Sequence, residues 1–288
     1  MRRIGIISAG VAAIAALVTG CGSDAKTTTQ SSSSFPTVTK VAISAKDFDF
    51  DVPASITGGL VEFTYKNIGK EAHFAGIAKV AAGKTYADVK AALTAPPSSA
   101  APTGPLPFED FGGLATTDPG GSSMLTLPVA AGTYALFCQI PSVDGVSHAA
   151  KGMVRELTVT EGPSGELPAA VGMITATDFK LDGLPTLKAG TNVLRLHNAG
   201  KQLHEINLIE LQSGKTLTDA AAWYTVPGGP PPMQFLSGVA TKPNEDGTAT
   251  FDLKSGSTYS FICAIPDVLG DFAPHIVKGM ATPTFTVS

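Results

Sequence analysis

One unit is written twice in this chain of 288 residues, and that repetition limits what it can fold into more than any other feature. Asp47-Phe48 matches Asp178-Phe179, and Asn67-Ile68-Gly69-Lys70-Glu71-Ala72-His73 matches Asn198-Ala199-Gly200-Lys201-Gln202-Leu203-His204. Gly83-Lys84-Thr85 returns as Gly214-Lys215-Thr216, and Tyr134 to Pro141 returns as Tyr259 to Pro266. His148-Ala149-Ala150-Lys151-Gly152-Met153 returns as His275-Ile276-Val277-Lys278-Gly279-Met280. The offset runs from 125 residues (Cys138 to Cys263) to 131 (His73 to His204), too long for a solenoid repeat and right for a domain. Residues 39–160 and 172–288 are therefore expected to be two domains. Residues 161–171, opening Glu161-Gly162-Pro163-Ser164-Gly165-Glu166, read as the linker.

Inside each copy the apolar period is two. Val61, Phe63 and Tyr65 alternate with Glu62, Thr64 and Lys66, and Tyr134, Leu136 and Cys138 share one strand face, as do Tyr259, Phe261 and Cys263. Gly 31 and Pro 21 punctuate these runs, and only 15% of residues are charged, which suits short strands and tight turns. One short helix per copy is expected, Thr85 to Leu93 and Thr216 to Tyr224, each with a capping Thr followed three residues later by Asp. The expected class is all-β, two tandem antiparallel sandwiches. With 43% hydrophobic residues, general disorder is excluded. A net charge of -4 gives no basic footprint, so no nucleic-acid partner is expected.

Residues 1–20 are an address. Arg2 and Arg3 precede an apolar run from Ile4 to Val18, as in a secretory leader. Val18-Thr19-Gly20-Cys21 resembles a bacterial lipobox, which implies lipidation of Cys21 and attachment to the membrane. The Ser/Thr-rich stretch 21–38 reads as a tether. The folded part is thus expected outside the cytoplasmic membrane, anchored to it through Cys21.

The repeats keep His73, Cys138, His148 and Met153 in one copy and His204, Cys263, His275 and Met280 in the other. Only His197 among the 5 histidines falls outside these sets. Two imidazoles, a thiolate and a weak thioether make a soft, trigonal donor set that suits copper. At this point the residues resemble the cupredoxin family of plastocyanin- and azurin-like blue copper proteins. That resemblance implies Greek-key sandwiches and one copper per domain. It makes His73 and His204 the upstream ligands, with Cys, His and Met of each copy on the downstream loop.

One departure is the Cys-to-His loop. Nine residues intervene in the first copy (Gln139 to Ser147) and eleven in the second (Ala264 to Pro274), against a few in the family. The added closure entropy, roughly 1 kcal/mol, does not forbid a site, but it weakens the expected precision of the geometry.

The competing reading of the cysteines is a Cys138–Cys263 disulfide in an oxidising compartment. Enzymatic copper sites need further histidines, and the chain has no His-x-His and no His beside either Cys, so no enzyme is expected. The expected role is one-electron transfer with a redox partner protein or a copper donor or acceptor. A metal-free pair of sandwiches serving as a cell-surface binding module is the alternative.

Overall fold

The computed structural model describes residues 38–96, 104–225 and 229–288. The expected leader, Cys21 and the tether up to residue 37 lie outside the described residues. The first copy contains β1 (Thr39–Lys46), β2 (Asp49–Asp51), β3 (Ser55–Thr57), β4 (Gly59–Asn67), β5 (His73–Val80), α1 (Tyr86–Thr94), β6 (Phe108–Thr117), β7 (Ser122–Val129), β8 (Gly132–Phe137) and β9 (Val154–Thr160). The second contains β10 (Gly172–Thr177), β11 (Lys180–Asp182), β12 (Gly190–Asn198), β13 (His204–Leu211), α2 (Leu217–Thr225), β14 (Met233–Thr241), β15 (Asp246–Leu253), β16 (Thr258–Ile262) and β17 (Phe285–Thr286), with a 3-10 turn at His275–Lys278 before β17.

Both helices begin where their caps dictate. Thr85 Oγ1 accepts the Asp88 N–H at 3.2 Å while the Asp88 carboxylate accepts the Thr85 N–H at 2.8 Å, and Thr216 and Asp219 repeat the pattern. Inside α1, Val89 and Leu93 pack against Ala135, Ala149 and Val154. In the second copy Ala220, Trp223 and Tyr224 pack with Ile209, Phe235, Ile262 and Ile276. Burying each such aliphatic side chain contributes about 1.5–3 kcal/mol.

The strands form two sheets, ordered β11-β10-β12-β15-β7-β4-β1-β2 and β17-β16-β13-β14-β6-β5-β8-β9-β3. The expectation of purely antiparallel sheets is corrected. β1 lies parallel to β4, β10 to β12, and β3 to β9. After β2 the chain leaves the first sheet, adds β3 to the other beside β9, and re-enters from the same end, so β4 must run parallel to β1.

Each sheet runs through both copies. β7 pairs with β15 through Leu125 and Ala249, and β6 pairs with β14 through Leu114 and Val239. In each pair the two residues occupy equivalent positions of the two copies, so the junction is a pseudo-twofold, self-complementary one. Close approach there requires glycine. At Gly112 φ is 128°, and an added Cβ would meet the Ala240 carbonyl oxygen. One core of buried side chains, including Phe63, Leu127, Leu208 and Phe251, extends across both copies. No helix among the described residues is long and apolar enough to cross a membrane.

Candidate metal centres

The sheet geometry brings His73, Cys138 and His148 together in one buried group and His204, Cys263 and His275 together in another, their donor atoms within 4.8 Å of one another. Four backbone features place each group. His73 is the first residue of β5, opposite Thr117 of β6. Cys138 follows the last residue of β8, and its N–H donates to the Met153 carbonyl at 3.2 Å. The His148 N–H donates to Ile140 O, and its own carbonyl accepts from the Met153 N–H, both at 2.9 Å. The second copy repeats these bonds with Cys263, Met280, His275 and Ile265.

These bonds answer the long-loop problem. Pro141 bridges Ser147, and Pro266 bridges Pro274, so the extra residues form a small hairpin pinched off outside the site. His148 and His275 are returned to the carbonyl two residues beyond each Cys whatever the loop length. The longer loops therefore do not keep His148 and His275 from the donor groups of Cys138 and Cys263.

The turn before each upstream His is equally defined. Asn67 is fully buried; its Nδ2 donates to the carbonyls of Glu71 and Thr117, and its Oδ1 accepts the Gly69 N–H. Asn198 makes the same three bonds to Gln202, Thr241 and Gly200. A side chain at Gly69 would collide with Asp47 Oδ1 and come within 2.7 Å of His73 Nε2. Gly200 faces His204 Nε2 and Asp178 Oδ1 in the same way. The Asn-x-Gly sequence is thus the space through which a carboxylate reaches the imidazole.

That carboxylate went unnoticed in the sequence. Asp47 Oδ1 lies 3.0 Å from His73 Nε2, and Asp178 Oδ1 lies 2.9 Å from His204 Nε2. Glu71 Oε2 lies 3.0 Å from His148 Nε2. Its signal was present: Asp-Phe recurs in both copies, and only its contact was missing. The following aromatic covers the other imidazole, Phe48 at 5.2 Å from His148 and Phe179 at 5.2 Å from His275, ring centroid to centroid. Lys151 and Lys278 stand over the outer faces of these rings. Phe48 and Phe179 hold φ of 84° and 68°, strained for a bulky residue, at a cost of order 1–3 kcal/mol each.

The electrostatics fit a cation. An Nε2–H donated outward to each carboxylate would leave both Nδ1 atoms of the first site with lone pairs, and these two atoms face each other at 2.9 Å. Cys138 Sγ lies 3.4 Å from His148 Nδ1. In the second site the two Nδ1 atoms are 3.2 Å apart, and Cys263 Sγ is 3.2 Å from His275 Nδ1. Burial lowers the proton affinity of His73, further reduced by His148, while Asp47 pulls the other way and loses. Burial pushes the Cys138 thiol up to about 12, and burial and then the Glu205 charge push Cys263 higher still. Such a pocket disfavours both imidazolium and bare thiolate, yet it converges three good donors. A metal ion resolves that conflict by replacing the protons.

Met153 and Met280 are fully buried in the same core cluster as the two cysteines. Cys138 and Cys263 are both free, each within its own group, so the disulfide reading falls. His197 belongs to neither group; it sits on β12, its Nδ1 2.6 Å from Asp246 Oδ1.

No family model and no curated protein matches the chain. Among solved structures, an auracyanin from Roseiflexus castenholzii is 25% identical, covering 42% of this chain and 96% of its own, with a TM-score of 0.27. A multicopper oxidase is 13% identical, covering 87% of this chain and 89% of its own, with a TM-score of 0.25. A copper nitrite reductase from Nitrosomonas europaea is 14% identical, covering 88% of this chain and 94% of its own, with a TM-score of 0.24. At these TM-scores the likenesses carry no weight of their own, and the class rests on the geometry above: an all-β chain with paired, buried His-Cys-His groups.

The expectation of no enzyme is not kept: three of the solved structures that span both copies are a multicopper oxidase and two copper nitrite reductases. The lack of a His-x-His motif was poor ground for that exclusion, because ligands are gathered in space and need not be neighbours in sequence.

Proposed function

We propose that the chain is an extracytoplasmic copper protein, anchored through Cys21, whose two sites carry single electrons. The observation that carries this reading is the pair of imidazole Nδ1 atoms facing each other at 2.9 Å beside a buried thiol, with both opposite nitrogens occupied by carboxylates. Two imidazoles and one thiolate in a closed, soft donor set favour copper over magnesium or calcium, which take oxygen ligands. His73, Cys138 and His148 would hold one ion, and His204, Cys263 and His275 the other. Met153 and Met280 are the candidates for a long axial contact. Copper in such a set supplies a one-electron couple.

The residues around it do the rest. Asp47, Glu71 and Asp178 orient the imidazoles and keep their protons on Nε2. Phe48 and Phe179 shield one ring in each site. Burial of all six donor residues excludes water and keeps reorganisation small.

The test is addition of Cu(II) to the full chain, followed by metal analysis and a visible spectrum. Two coppers per chain and an intense sulfur-to-copper band are expected. A colourless, copper-free protein would overturn the reading and leave a metal-free binding module. The anchor is tested separately: Cys21→Ser is expected to abolish lipidation and release the protein, and unchanged membrane fractionation with the same modified N-terminus would refute it.

A further inference from the structure

The two sites are unequal just outside their donor atoms. In the first, Glu71 spans from the turn before β5 to the downstream loop: Oε2 meets His148 Nε2 at 3.0 Å, and Oε1 accepts from Ser142 Oγ at 3.2 Å. In the second, Gln202 stands in place of Glu71 and Asp267 in place of Ser142. Gln202 turns to the loop, with Nε2 donating to Asp267 Oδ1 at 3.0 Å and Oε1 accepting the Val268 N–H at 3.1 Å. Asp267 is paired in turn with Lys278. His275 Nε2 is left fully buried, with no hydrogen-bond partner among the described residues.

The exchange is concerted. Each site keeps one carboxylate bridging turn and loop, but in the first it rests on the ligand imidazole and in the second on a lysine. The Asp47 and Asp178 contacts are alike in the two sites and cannot separate them.

We propose that Glu71 is a positioning residue that sets the two centres apart, locking His148 as its Nε2–H tautomer and lowering the reduction potential of the first site. The proposal rests on the copper reading above. A carboxylate on the far nitrogen makes the imidazole a stronger donor and adds negative charge near the ion, and both favour Cu(II) over Cu(I). The second site has no such group on His275. Its other nearby acid, the buried Glu205 where the first copy has Phe74, accepts from the Ala264 N–H and donates its own backbone N–H to Cys263 Sγ.

The experiment uses the full chain with one site disabled at a time. In the Cys263→Ser chain, Glu71→Gln is expected to keep the colour and shift the ratio of Cu(II) to Cu(I) affinity about tenfold toward Cu(I), a rise of about 59 mV for one electron. In the Cys138→Ser chain, carrying Glu205→Gln to remove that acid, the transplant Gln202→Glu with Asp267→Ser is expected to lower the potential by a similar step. Nitrogen NMR of the metal-free wild type is expected to show His148 protonated at Nε2, and Glu71→Ala to give a mixture of tautomers. Coloured Glu71 variants with an unmoved potential, or a metal-free His148 protonated at Nδ1, would overturn the proposal. Failure of the parent single-site chains to bind copper would overturn the copper reading and the potential claim with it, while the metal-free NMR would still decide the tautomer lock.

Discussion

Asp47 Oδ1 and His73 Nε2 meet at 3.0 Å across the open face of Gly69, where any side chain would stand between them. The second copy repeats the contact with Asp178, His204 and Gly200. A glycine, a carboxylate and an imidazole thus form one device, in which the acid sets which ring nitrogen is free for a ligand. Backbone N–H groups of Lys70 and Glu71 also bind Asp47. Burial alone would raise its carboxyl, but these bonds and His73 outweigh burial and hold it below the ordinary carboxylate range.

Gly69→Ala is expected to push Asp47 off His73 and weaken copper binding at the first site about 10- to 100-fold, as second-layer changes do. Gly200→Ala is expected to do the same at the second. Competitive chelator titration of each variant measures this. Unchanged affinity with a folded spectrum would show that the carboxylate contact does not support the ligand.

Cys138→Ser and Cys263→Ser are each expected to remove one share of the visible charge-transfer band and one copper per chain. The double variant should be colourless. Met153→Leu and Met280→Leu are expected to retain the band and move the potential, as a weak axial donor would. His197→Gln should leave copper content intact, because that ring is engaged with Asp246 and lies in neither group. Absorption spectra and metal analysis read all of these.

Among the groups that make the metal-free chain depend on pH, two in the second site oppose each other. Burial, and then the charge on His204, lower His275 to about 4, so the unfolded chain binds its proton first and stability rises with pH between about 4 and 6.5. The integrated effect is on the order of 3 kcal/mol for that group. Glu205 runs the other way: burial raises its carboxyl to about 7, so its contribution is lost as pH rises from about 4.5 through 7. Glu205→Gln should therefore show a steeper gain from pH 4 to 6.5 than wild type. Urea unfolding at stepped pH checks it; equal slopes in the two proteins would refute the assignment.

Residues 172–288 expressed alone would leave β14 and β15 as open edges where β6 and β7 pair in the full chain. Because Leu114 pairs with Val239 and Leu125 with Ala249, each residue with its own counterpart, the exposed edge is complementary to itself. The fragment is expected to dimerise, with concentration-dependent sedimentation. A monomer whose Val239 amide exchanges freely would show that the edge tolerates water.

Much of this molecule could be read from the linear chain. The recurring motifs could be matched by direct comparison of the two halves, and the period-two strands and the Thr-capped helices depend on neighbours a few residues apart, which local propensity and spacing encode directly. His73, Cys138 and His148, with their counterparts, were recognisable because the same residue types recur at matched places in the two halves of the sequence. Tertiary structure decided what those residues meet. Asp47 reaches His73 across 26 positions and Glu71 reaches His148 across 77, and no spacing rule links residues so far apart. The fusion of both sheets across the copies, the parallel β1–β4 pairing, the pinched loops and a His275 Nε2 with no partner among the described residues likewise arise from which edges and side chains the packed core leaves available. Sequence settles what each residue can do chemically; packing settles which partner it does it with.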